Sequence, residues 1–477
     1  MPARIVALPA KTAPTSISGA LAELRDRLEI PDEFPADVVA AARAAAAAPR
    51  VPELDRTDLD LVTIDPPGAR DLDQALHLAR TDDGYLVSYA IADVAAFVGA
   101  DDPVDREAQW RGQTLYAPDG RTPLHPPELS EGAASLLPEA DRPALLWTLR
   151  LDVSGELVET TVQRALVRSR EQLSYEQAQA ELGGGSPREP LALLVEVGTL
   201  RAQLERGRGG VSLQIPAQEI EVDAAGRYTL SYRATLPVEE HNAQISLLTG
   251  AAAARLMRDG RVGILRTLPP ADPGALRRLR RTARALRIAW PDEQDYPEFV
   301  RSLDPSVPAH AAMLNACTEL FRGAGYAAFD GTVPEHTEHA ALAMDYAHVT
   351  APLRRLVDRY AGEVCLALCA GEPVPAWVRS GLPGLPEVMS AAESRAKKYE
   401  RAIVDLVEVS LLHDRVGETF VGTVVDIETD GRRGVVMIAD PAVQGPVRGA
   451  DPPLGAEVTV RLASADWDSG RIQFELT

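Results

Sequence analysis

Lysine, cysteine and aromatic residues are all scarce in this chain of 477 residues. Lysine occurs at three positions only, so arginine carries nearly all the positive charge, and aromatic residues make up 5% of the chain. No uninterrupted apolar stretch approaches the length needed to cross a bilayer, which argues against a membrane protein. The three cysteines (Cys317, Cys365 and Cys369) have no metal-binding spacing. Unpaired thiols of this kind are typical of a reducing, cytoplasmic compartment.

The chain carries a net negative charge, but its arginines are concentrated in one region. The net charge of −21 argues against unspecific binding of nucleic acid over the whole surface. Residues 255–287 nevertheless contain ten arginines. Between Leu276 and Leu286 the apolar residues recur at helical spacing, so a helix there would present its arginines on the opposite face. Such a face is either solvated or able to follow a phosphate backbone.

Three carboxylates lie within nine residues after a short apolar run. The run at 59–64 predicts a strand that delivers Asp65 to its tip, and Pro66-Pro67-Gly68 predicts a turn. Asp71 and Asp73 are two residues apart, so in an extended chain they face the same side. Like charges this close together need a neutralising partner, and magnesium is the usual cation for oxygen ligands. The segment therefore predicts a metal site.

A second segment, residues 346–360, reads Y-A-H-V-T-A-P-L-R-R-L-V-D-R-Y. Together the two segments resemble the catalytic RNB domain of the ribonuclease II family, whose usual patterns are T-I-D-x5-D-x-D-D and Y-x-H-F-T-S-P-I-R-R-Y-x-D. The resemblance covers roughly residues 50–415. Shorter matches lie between the two segments in the same order: Ile91–Val94, Asp105–Ala108, Tyr116–Asp119, Pro126–Ser130 and Val238–Glu240.

The resemblance assigns roles to the acidic segment. It implies a metal set of Asp65, Asp71, Asp73 and Gln74, with Asp73 as the residue whose loss most damages catalysis. The fourth position is normally aspartate in the family, and here it is Gln74. A neutral amide offers only a carbonyl oxygen. We therefore expect one metal to bind more weakly, the site to prefer a different metal, or another part of the protein to supply the missing carboxylate ligand.

The resemblance also implies residues that bind the substrate. Arg354 matches the catalytic arginine, and we expect Pro352 to begin the helix that carries it. His348 is interpreted as a structural hydrogen-bonding residue. We expect the remaining matched residues to contact RNA: Tyr116, Tyr175, Glu240, Arg355, Glu400 and Arg401. Beyond Glu240 the family usually has methionine and asparagine where this chain has Asn242 and Ser246.

The predicted fold class is α+β, in three parts. Residues 1–50 read as a small helical element, for which the alternatives are a helix-turn-helix and a structural cap. Residues 51–415 form the RNB domain. Residues 416–477 read as five short strands and resemble the RNA-binding OB-fold called the S-one domain. Many family members carry two OB-type barrels ahead of the catalytic domain. We expect neither barrel in residues 1–50, which are too few to form them.

Smaller elements follow from local patterns. Asp82-Asp83-Gly84 predicts a hairpin turn. We expect a long helix over 387–414, and mostly helical structure over the following stretches: 171–205, 238–290, 309–328 and 351–370.

The implied activity, for a bacterial member of this family, is that of a magnesium-dependent 3′→5′ exoribonuclease that uses two metals, with manganese able to replace magnesium. It would degrade single-stranded RNA processively to nucleoside 5′-monophosphates and tolerate some structured RNA. We expect a cytoplasmic monomer without a small-molecule cofactor or a membrane partner. Two alternatives stay open: a non-catalytic RNA-binding protein, favoured by Gln74, and a phosphatase or nucleotide hydrolase.

Overall fold

Helices and strands alternate along most of the chain. The computed structural model describes residues 15–31, 33–211, 217–222, 228–233, 235–427, 433–449, 452–467 and 469–477. Residues 1–14 of the predicted N-terminal element lie outside these ranges. Two closed β-barrels, separated by a largely helical region, organise the described residues. The α+β class expected from the sequence is therefore confirmed.

The element bounds are as follows. The α-helices are α1 Thr15–Arg27, α2 Ala36–Ala47, α3 Pro103–Arg111, α4 Tyr175–Gly183, α5 Glu189–Arg208, α6 Pro237–Gly260, α7 Pro273–Ala285, α8 Tyr296–Arg301, α9 Pro308–Cys317, α10 Leu356–Ala370, α11 Ala376–Gly381 and α12 Leu385–Leu412. The strands are β1 Leu61–Asp65, β2 Gln74–Thr81, β3 Gly84–Ala92, β4 Leu115–Ala117, β5 Gly120–Thr122, β6 Asp141–Asp152, β7 Leu157–Ser174, β8 Ala217–Val222, β9 Tyr228–Arg233, β10 Val262–Thr267, β11 Gly325–Asp330, β12 Glu338–His339, β13 Met344–Asp345, β14 Thr419–Ile427, β15 Arg433–Ile438, β16 Val443–Arg448, β17 Glu457–Asp466 and β18 Arg471–Leu476.

The first barrel is built in the order β1-β2-β3-β6-β7. Strand β1 closes it by pairing antiparallel with β2 and parallel with β7. Large buried side chains such as Tyr89 and Trp147 join the core that helices α5, α6 and α10 cover from outside. Because β1 ends where β2 begins on the neighbouring antiparallel strand, Asp65 and Gln74 lie at one rim of the barrel. The acidic segment is the loop between them.

The predicted hairpin is confirmed at β2 and β3. Thr81 pairs with Gly84, so Asp82 and Asp83 form a two-residue turn. Gly84 has φ +149°, and a Cβ there would lie 2.1 Å from the carbonyl oxygen of Leu151. Glycine is therefore required by both the backbone conformation and the close strand.

The second barrel confirms the five strands expected at the end of the chain. Its order is β14-β15-β16-β18-β17, which is the closed five-stranded form of an OB-type barrel. The long helix expected over 387–414 is α12, and its buried stripe includes Tyr399, Ile403 and Val407. These side chains share one apolar cluster with the inner face of the second barrel.

The two described N-terminal helices pack in different apolar clusters. Buried Leu21 and Leu24 of α1 pack in the cluster that holds α12 and the second barrel. Buried Val38 and Ala42 of α2 pack against the first barrel instead. A helix-turn-helix and a structural cap both stay predictions for this element.

Several stretches expected to be helical contain strands. Residues 262–267 form β10, which pairs antiparallel with β11 at 325–330. Strand β7 continues to Ser174, so the helical stretch expected from residue 171 begins at Tyr175. Helix α10 begins at Leu356 and not at Pro352, because residues 352–354 form a turn. Strand β10 and the end of β7 pair with strands that are distant in sequence, β11 and β1, and local sequence patterns do not indicate such pairing.

The arginine-rich segment forms α7 as expected. Ala275, Leu279 and Ala283 are buried, and Arg281 and Arg284 are exposed on the other face. Both interpretations of this face, solvated or phosphate-binding, stay open.

Candidate active site

Asp65 lies at the rim of the first barrel, where β1 ends. Its Oδ2 atom is shielded from solvent and has no hydrogen-bond partner among the described residues. Burial raises the pKa of Asp65 to about 7, and the nearby charge of Asp71 contributes in the same direction. A buried carboxylate oxygen without a donor is one that a cation would satisfy.

Asp71 is held by a hairpin, β4–β5. Tyr116 and Arg121 are directly opposite each other on the two strands, so both side chains project from one face. The Tyr116 hydroxyl donates to Asp71 Oδ2 at 3.3 Å, and the Arg121 guanidinium forms an ion pair with Oδ1. Sequence reasoning found the tyrosine and missed Arg121, for which the motif gives no signal.

Asp73 connects the acidic loop to the arginine turn, which we define as residues 350–354. Its Oδ1 accepts a hydrogen bond from the backbone N–H of Leu353 at 2.8 Å, and its Oδ2 lies 3.4 Å from Arg354 Nε. Burial raises the pKa of Asp73 well above its usual range, an effect that Arg354 and the Leu353 amide oppose. Arg354 is 43% exposed, so its guanidinium faces both the aspartate and the solvent.

Arg355 has a different environment from its neighbour. Its guanidinium donates two hydrogen bonds to Asp358, at 2.7 and 2.8 Å, and Asp358 is 1% exposed. The same carboxylate accepts from the backbone N–H of Ala351 at 2.7 Å. The bidentate pair occupies the fork of the guanidinium that would recognise a phosphate. The structure therefore gives Arg355 a part in shaping the arginine turn through Asp358, and its expected contact with RNA stays a prediction.

The backbone of the arginine turn is held from a second side. The N–H of Thr114 donates to the carbonyl oxygen of Arg354 at 3.0 Å, and the N–H of Leu356 donates to that of Gly112. Gly112 has φ +71°, and a Cβ there would lie 2.5 Å from Ala392 on α12. The short segment after α3 thus fixes Arg354 between the barrel rim and α12.

Gln74 faces away from the aspartates. Its Nε2 donates to the carbonyl oxygen of Thr350 at 2.7 Å, and its Oε1 accepts from the hydroxyl of Tyr89 at 2.7 Å. The sequence had suggested this amide oxygen as a metal ligand. In the structure it already accepts a hydrogen bond from the buried Tyr89.

The residues present fit a divalent cation with an incomplete protein shell. The charge of Asp71 raises the pKa of both Asp65 and Asp73, so the three carboxylates are electrostatic neighbours. Within the ranges that the structure describes, no three acidic, histidine or cysteine side chains converge closely enough to hold a metal by themselves. Magnesium is commonly bound by one or two carboxylates, with water and substrate phosphates as the remaining ligands.

Tyr175 lies beside Asp65 because the strand pairing places it there. Asp65 is the register partner of Ser174, the last residue of β7, and Tyr175 opens the following helix α4. Ser174 caps that helix with Gln177 in a reciprocal pair of hydrogen bonds. Burial, with the charge of Asp65 adding to it, raises the pKa of Tyr175 to about 12.

The other residues expected to contact RNA lie on two helices, α6 and α12. Glu240 is exposed in the first turn of α6, while its neighbour Glu239 accepts from the N–H of Leu236. On α12, Glu400 is half-buried and Arg401 is exposed. Their roles stay predictions.

With this geometry established, the chain can be compared with known proteins. Residues 54–367 match the family model described as RNB domain, and residues 418–477 match the one described as RNase II-type exonuclease C-terminal S1 domain. The chain belongs to the RNB domain family.

Relatives of this RNB protein include enzymes named ribonuclease R. This chain is 26% identical to the ribonuclease R of Aquifex aeolicus over 455 residues, and the match covers 87% of this chain and 63% of the relative. It is 27% identical to that of Escherichia coli over 472 residues, covering 89% and 57%. A structure of Mycoplasma genitalium RNase R in complex with ribose methylated single-stranded RNA superimposes with a TM-score of 0.86 at 19% identity, covering 97% of this chain and 78% of that one. The RNB protein spans about three-fifths of the length of these curated relatives.

A network that sequence reasoning missed ties α12 to the arginine turn of the RNB fold. Glu393 forms an ion pair with Arg266 at 3.1 Å, and the Arg266 guanidinium lies over the ring of Tyr326 at 4.7 Å. The Tyr326 hydroxyl is 2.8 Å from Nδ1 of His348. Burial lowers the pKa of His348 well below its usual value, as expected for a neutral structural histidine.

The described helices of the RNB protein include none that is long and apolar enough to span a membrane.

Proposed function

We propose that this chain is a divalent-metal-dependent 3′→5′ exoribonuclease that prefers magnesium and releases nucleoside 5′-monophosphates from single-stranded RNA. The observation that carries the proposal is the pairing of Asp73 with Arg354 at the barrel rim, beside Asp65 and Asp71. The ribonuclease R relatives and the Mycoplasma genitalium structure in complex with RNA support the choice of RNA as substrate.

The aspartates would hold the cation, and the arginine would hold the phosphate. Asp65 offers an oxygen without a hydrogen-bond donor among the described atoms, and Asp71 and Asp73 keep theirs in place through arginine partners. One or two bound divalent cations would supply the activated water and neutralise the phosphate charge. The half-exposed Arg354 guanidinium can approach a phosphate while its Nε stays beside Asp73. Charge that develops on the phosphate in the transition state is thereby stabilised.

Tyr116 and Tyr175 would hold the terminal nucleotides. Both tyrosines flank the aspartates, Tyr116 through its bond to Asp71 and Tyr175 through the strand pairing of Asp65. Stacking on aromatic rings contributes about 1–3 kcal/mol per base and tolerates any sequence. The half-exposed rings suit an enzyme that removes every base in turn.

The experiment compares the wild type with Asp73→Asn on 5′-labelled single-stranded RNA in magnesium. We expect a ladder of shortening labelled fragments from the wild type, and mononucleotide product from a uniformly labelled copy. Asp73→Asn should abolish both while RNA binding persists. Asp82→Asn is the matched control. Asp82 is an exposed aspartate that directly follows β2, whereas Asp73 directly precedes it.

The orientation of Gln74 favours a second candidate, a non-catalytic RNA-binding protein on the same fold. Tight RNA binding without cleavage in either magnesium or manganese would establish that candidate and overturn the first. Hydrolysis of free nucleotides in place of RNA would point to a phosphatase.

The cysteines support a reducing, cytoplasmic setting for this activity. All three are free thiols, and burial raises the pKa of Cys317 to about 12, so it stays protonated and unreactive.

A further inference from the structure

The side chain of Gln74 is oriented by its hydrogen bonds without ambiguity. The carbonyl oxygen of Thr350 can only accept, so the amide nitrogen of Gln74 must face it, at 2.7 Å. The amide oxygen then faces the hydroxyl of Tyr89, which donates to it at 2.7 Å. Tyr89 is fully buried and Thr350 is 4% exposed, so these bonds form where water competes little.

The network continues beyond Tyr89 with a fixed direction. The single hydroxyl proton of Tyr89 is used for Gln74, so at the 2.9 Å contact Ser246 must donate to the tyrosine oxygen. Donation therefore runs from Ser246 through Tyr89 and Gln74 to Thr350. This chain of bonds joins α6, β3 and β2 to the arginine turn.

Two consecutive residues of the chain hold the arginine turn at two points. Gln74 binds its first residue, Thr350, and Asp73 binds the N–H of Leu353 and faces Arg354. A displacement of about 1 Å in a catalytic group can cost roughly a hundredfold in rate. Loss of the Gln74 bond would loosen the Thr350 end of the turn, while Asp358 and Thr114 still hold Ala351 and Arg354.

Two departures from the family pattern meet in this network. The sequence has glutamine where the family has aspartate, at Gln74, and serine where it has asparagine, at Ser246. Both are hydrogen-bonded to Tyr89. An ionised aspartate at position 74 would have no donor for the carbonyl oxygen of Thr350, and two acceptors would face each other. The amide supplies the donor that this arrangement needs.

We propose that Gln74 is a positioning residue for Arg354 and not a cation ligand, so that the protein's ligands to the cation come from the aspartates, with water and substrate phosphate completing the shell. This inference rests on the proposed exoribonuclease activity for its rate readout. Its cation readout is independent of that activity.

The experiment measures Mn²⁺ affinity without RNA by calorimetry, and kcat and KM on single-stranded RNA. Gln74→Met removes both the donor and the acceptor at similar length. We expect its Mn²⁺ Kd to stay within about twofold of the wild type, while kcat falls roughly tenfold to a hundredfold with KM nearly unchanged, since the turn is mispositioned. Asp65→Asn is the positive control for a ligand and should weaken Mn²⁺ binding tenfold or more, by the order of magnitude expected for a lost metal contact.

Two further variants keep the test decisive if Gln74→Met folds poorly. Gln74→Glu retains an acceptor for Tyr89 and loses the donor for Thr350, and Tyr89→Phe leaves Gln74 without its donor. Both should lower kcat, and neither should weaken Mn²⁺ binding. A tenfold loss of Mn²⁺ affinity in the Gln74 variants would show that Gln74 is a cation ligand. An unchanged kcat in folded variants would show that Gln74 does not position Arg354. Either result overturns the proposal. If the wild type degrades no RNA, the proposed function fails, and the Mn²⁺ affinities still decide whether Gln74 is a ligand.

Discussion

Arg354 Nε lies 3.4 Å from Asp73 Oδ2, and the backbone N–H of the preceding Leu353 holds the other oxygen of the same carboxylate at 2.8 Å. The aspartate therefore fixes both the backbone and the side chain of the residue proposed to face the phosphate. Under the proposed function, the two residues would act as one unit in catalysis.

Arg354→Ala should lower kcat on single-stranded RNA by roughly a hundredfold to a thousandfold, the size expected for loss of one group that stabilises the transition state. RNA affinity should change much less, because the backbone contacts of Asp73 persist. Arg379→Ala is the matched control: Arg379 is 47% exposed and paired with Asp330 at 3.0 Å, outside the site. A change confined to KM would show that Arg354 serves ground-state binding only.

Arg355→Ala should act on stability and not primarily on RNA binding. Removing the guanidinium leaves the buried Asp358 carboxylate without its charged partner, at a cost of about 3–5 kcal/mol in the free energy of unfolding. Urea unfolding monitored by fluorescence measures this difference, with Arg379→Ala as the control of much smaller effect, since Arg379 and its partner Asp330 are both exposed. A weakened RNA affinity at unchanged stability would instead restore the RNA-binding role expected from the sequence.

Asp65 should make the cation-free protein less stable as pH rises. Its pKa is raised to about 7 in the folded chain, against an ordinary value of 3.8, so the folded state favours the protonated form. Between pH 4 and 7 the unfolded chain loses this proton first, and the stability contributed by protonation is lost as pH rises through that window. Thermal unfolding in a chelator at pH 5 and pH 8 should show a drop for the wild type that is smaller in Asp65→Asn. An equal drop in both proteins would place the pH dependence elsewhere.

Tyr116 should contribute more through its ring than through its hydroxyl. Tyr116→Phe loses the 3.3 Å bond to Asp71 but keeps the stacking surface, so RNA affinity should change little. Tyr116→Ala should weaken binding by about 1–3 kcal/mol. Fluorescence anisotropy with a short labelled RNA measures both. Equal losses in the two variants would assign the effect to Asp71 and not to stacking.

Local patterns predicted the elements that their own sequences specify. The Asp82-Asp83-Gly84 turn joins two strands that pair with each other, so its sequence alone indicates the hairpin. The five C-terminal strands were indicated one by one by their own sequences, although β14 pairs with the distant β17. Strand β10 was expected to be helical because it is a short apolar run between two helices, and its partner β11 is distant in the chain.

The site was predictable only in part, for a similar reason. Motif spacing brought Asp65, Asp71, Asp73 and Arg354 together correctly as a group. The Arg355–Asp358 pair, three residues apart, was within reach of sequence reasoning, since such spacing commonly gives an ion pair. The orientation of Gln74 was not, because it depends on a carbonyl oxygen in the distant arginine turn.

The arginines beside Asp71 and Asp73 have a consequence for how the chain matures. Arg121 and Arg354 come from the protein itself, so two of the three clustered acids meet a counter-charge as soon as the barrel rim closes. The acidic loop therefore has counter-charges of its own and does not depend on a cation to neutralise Asp71 and Asp73. Under the proposed function, the cation would bind to a scaffold that has already been assembled.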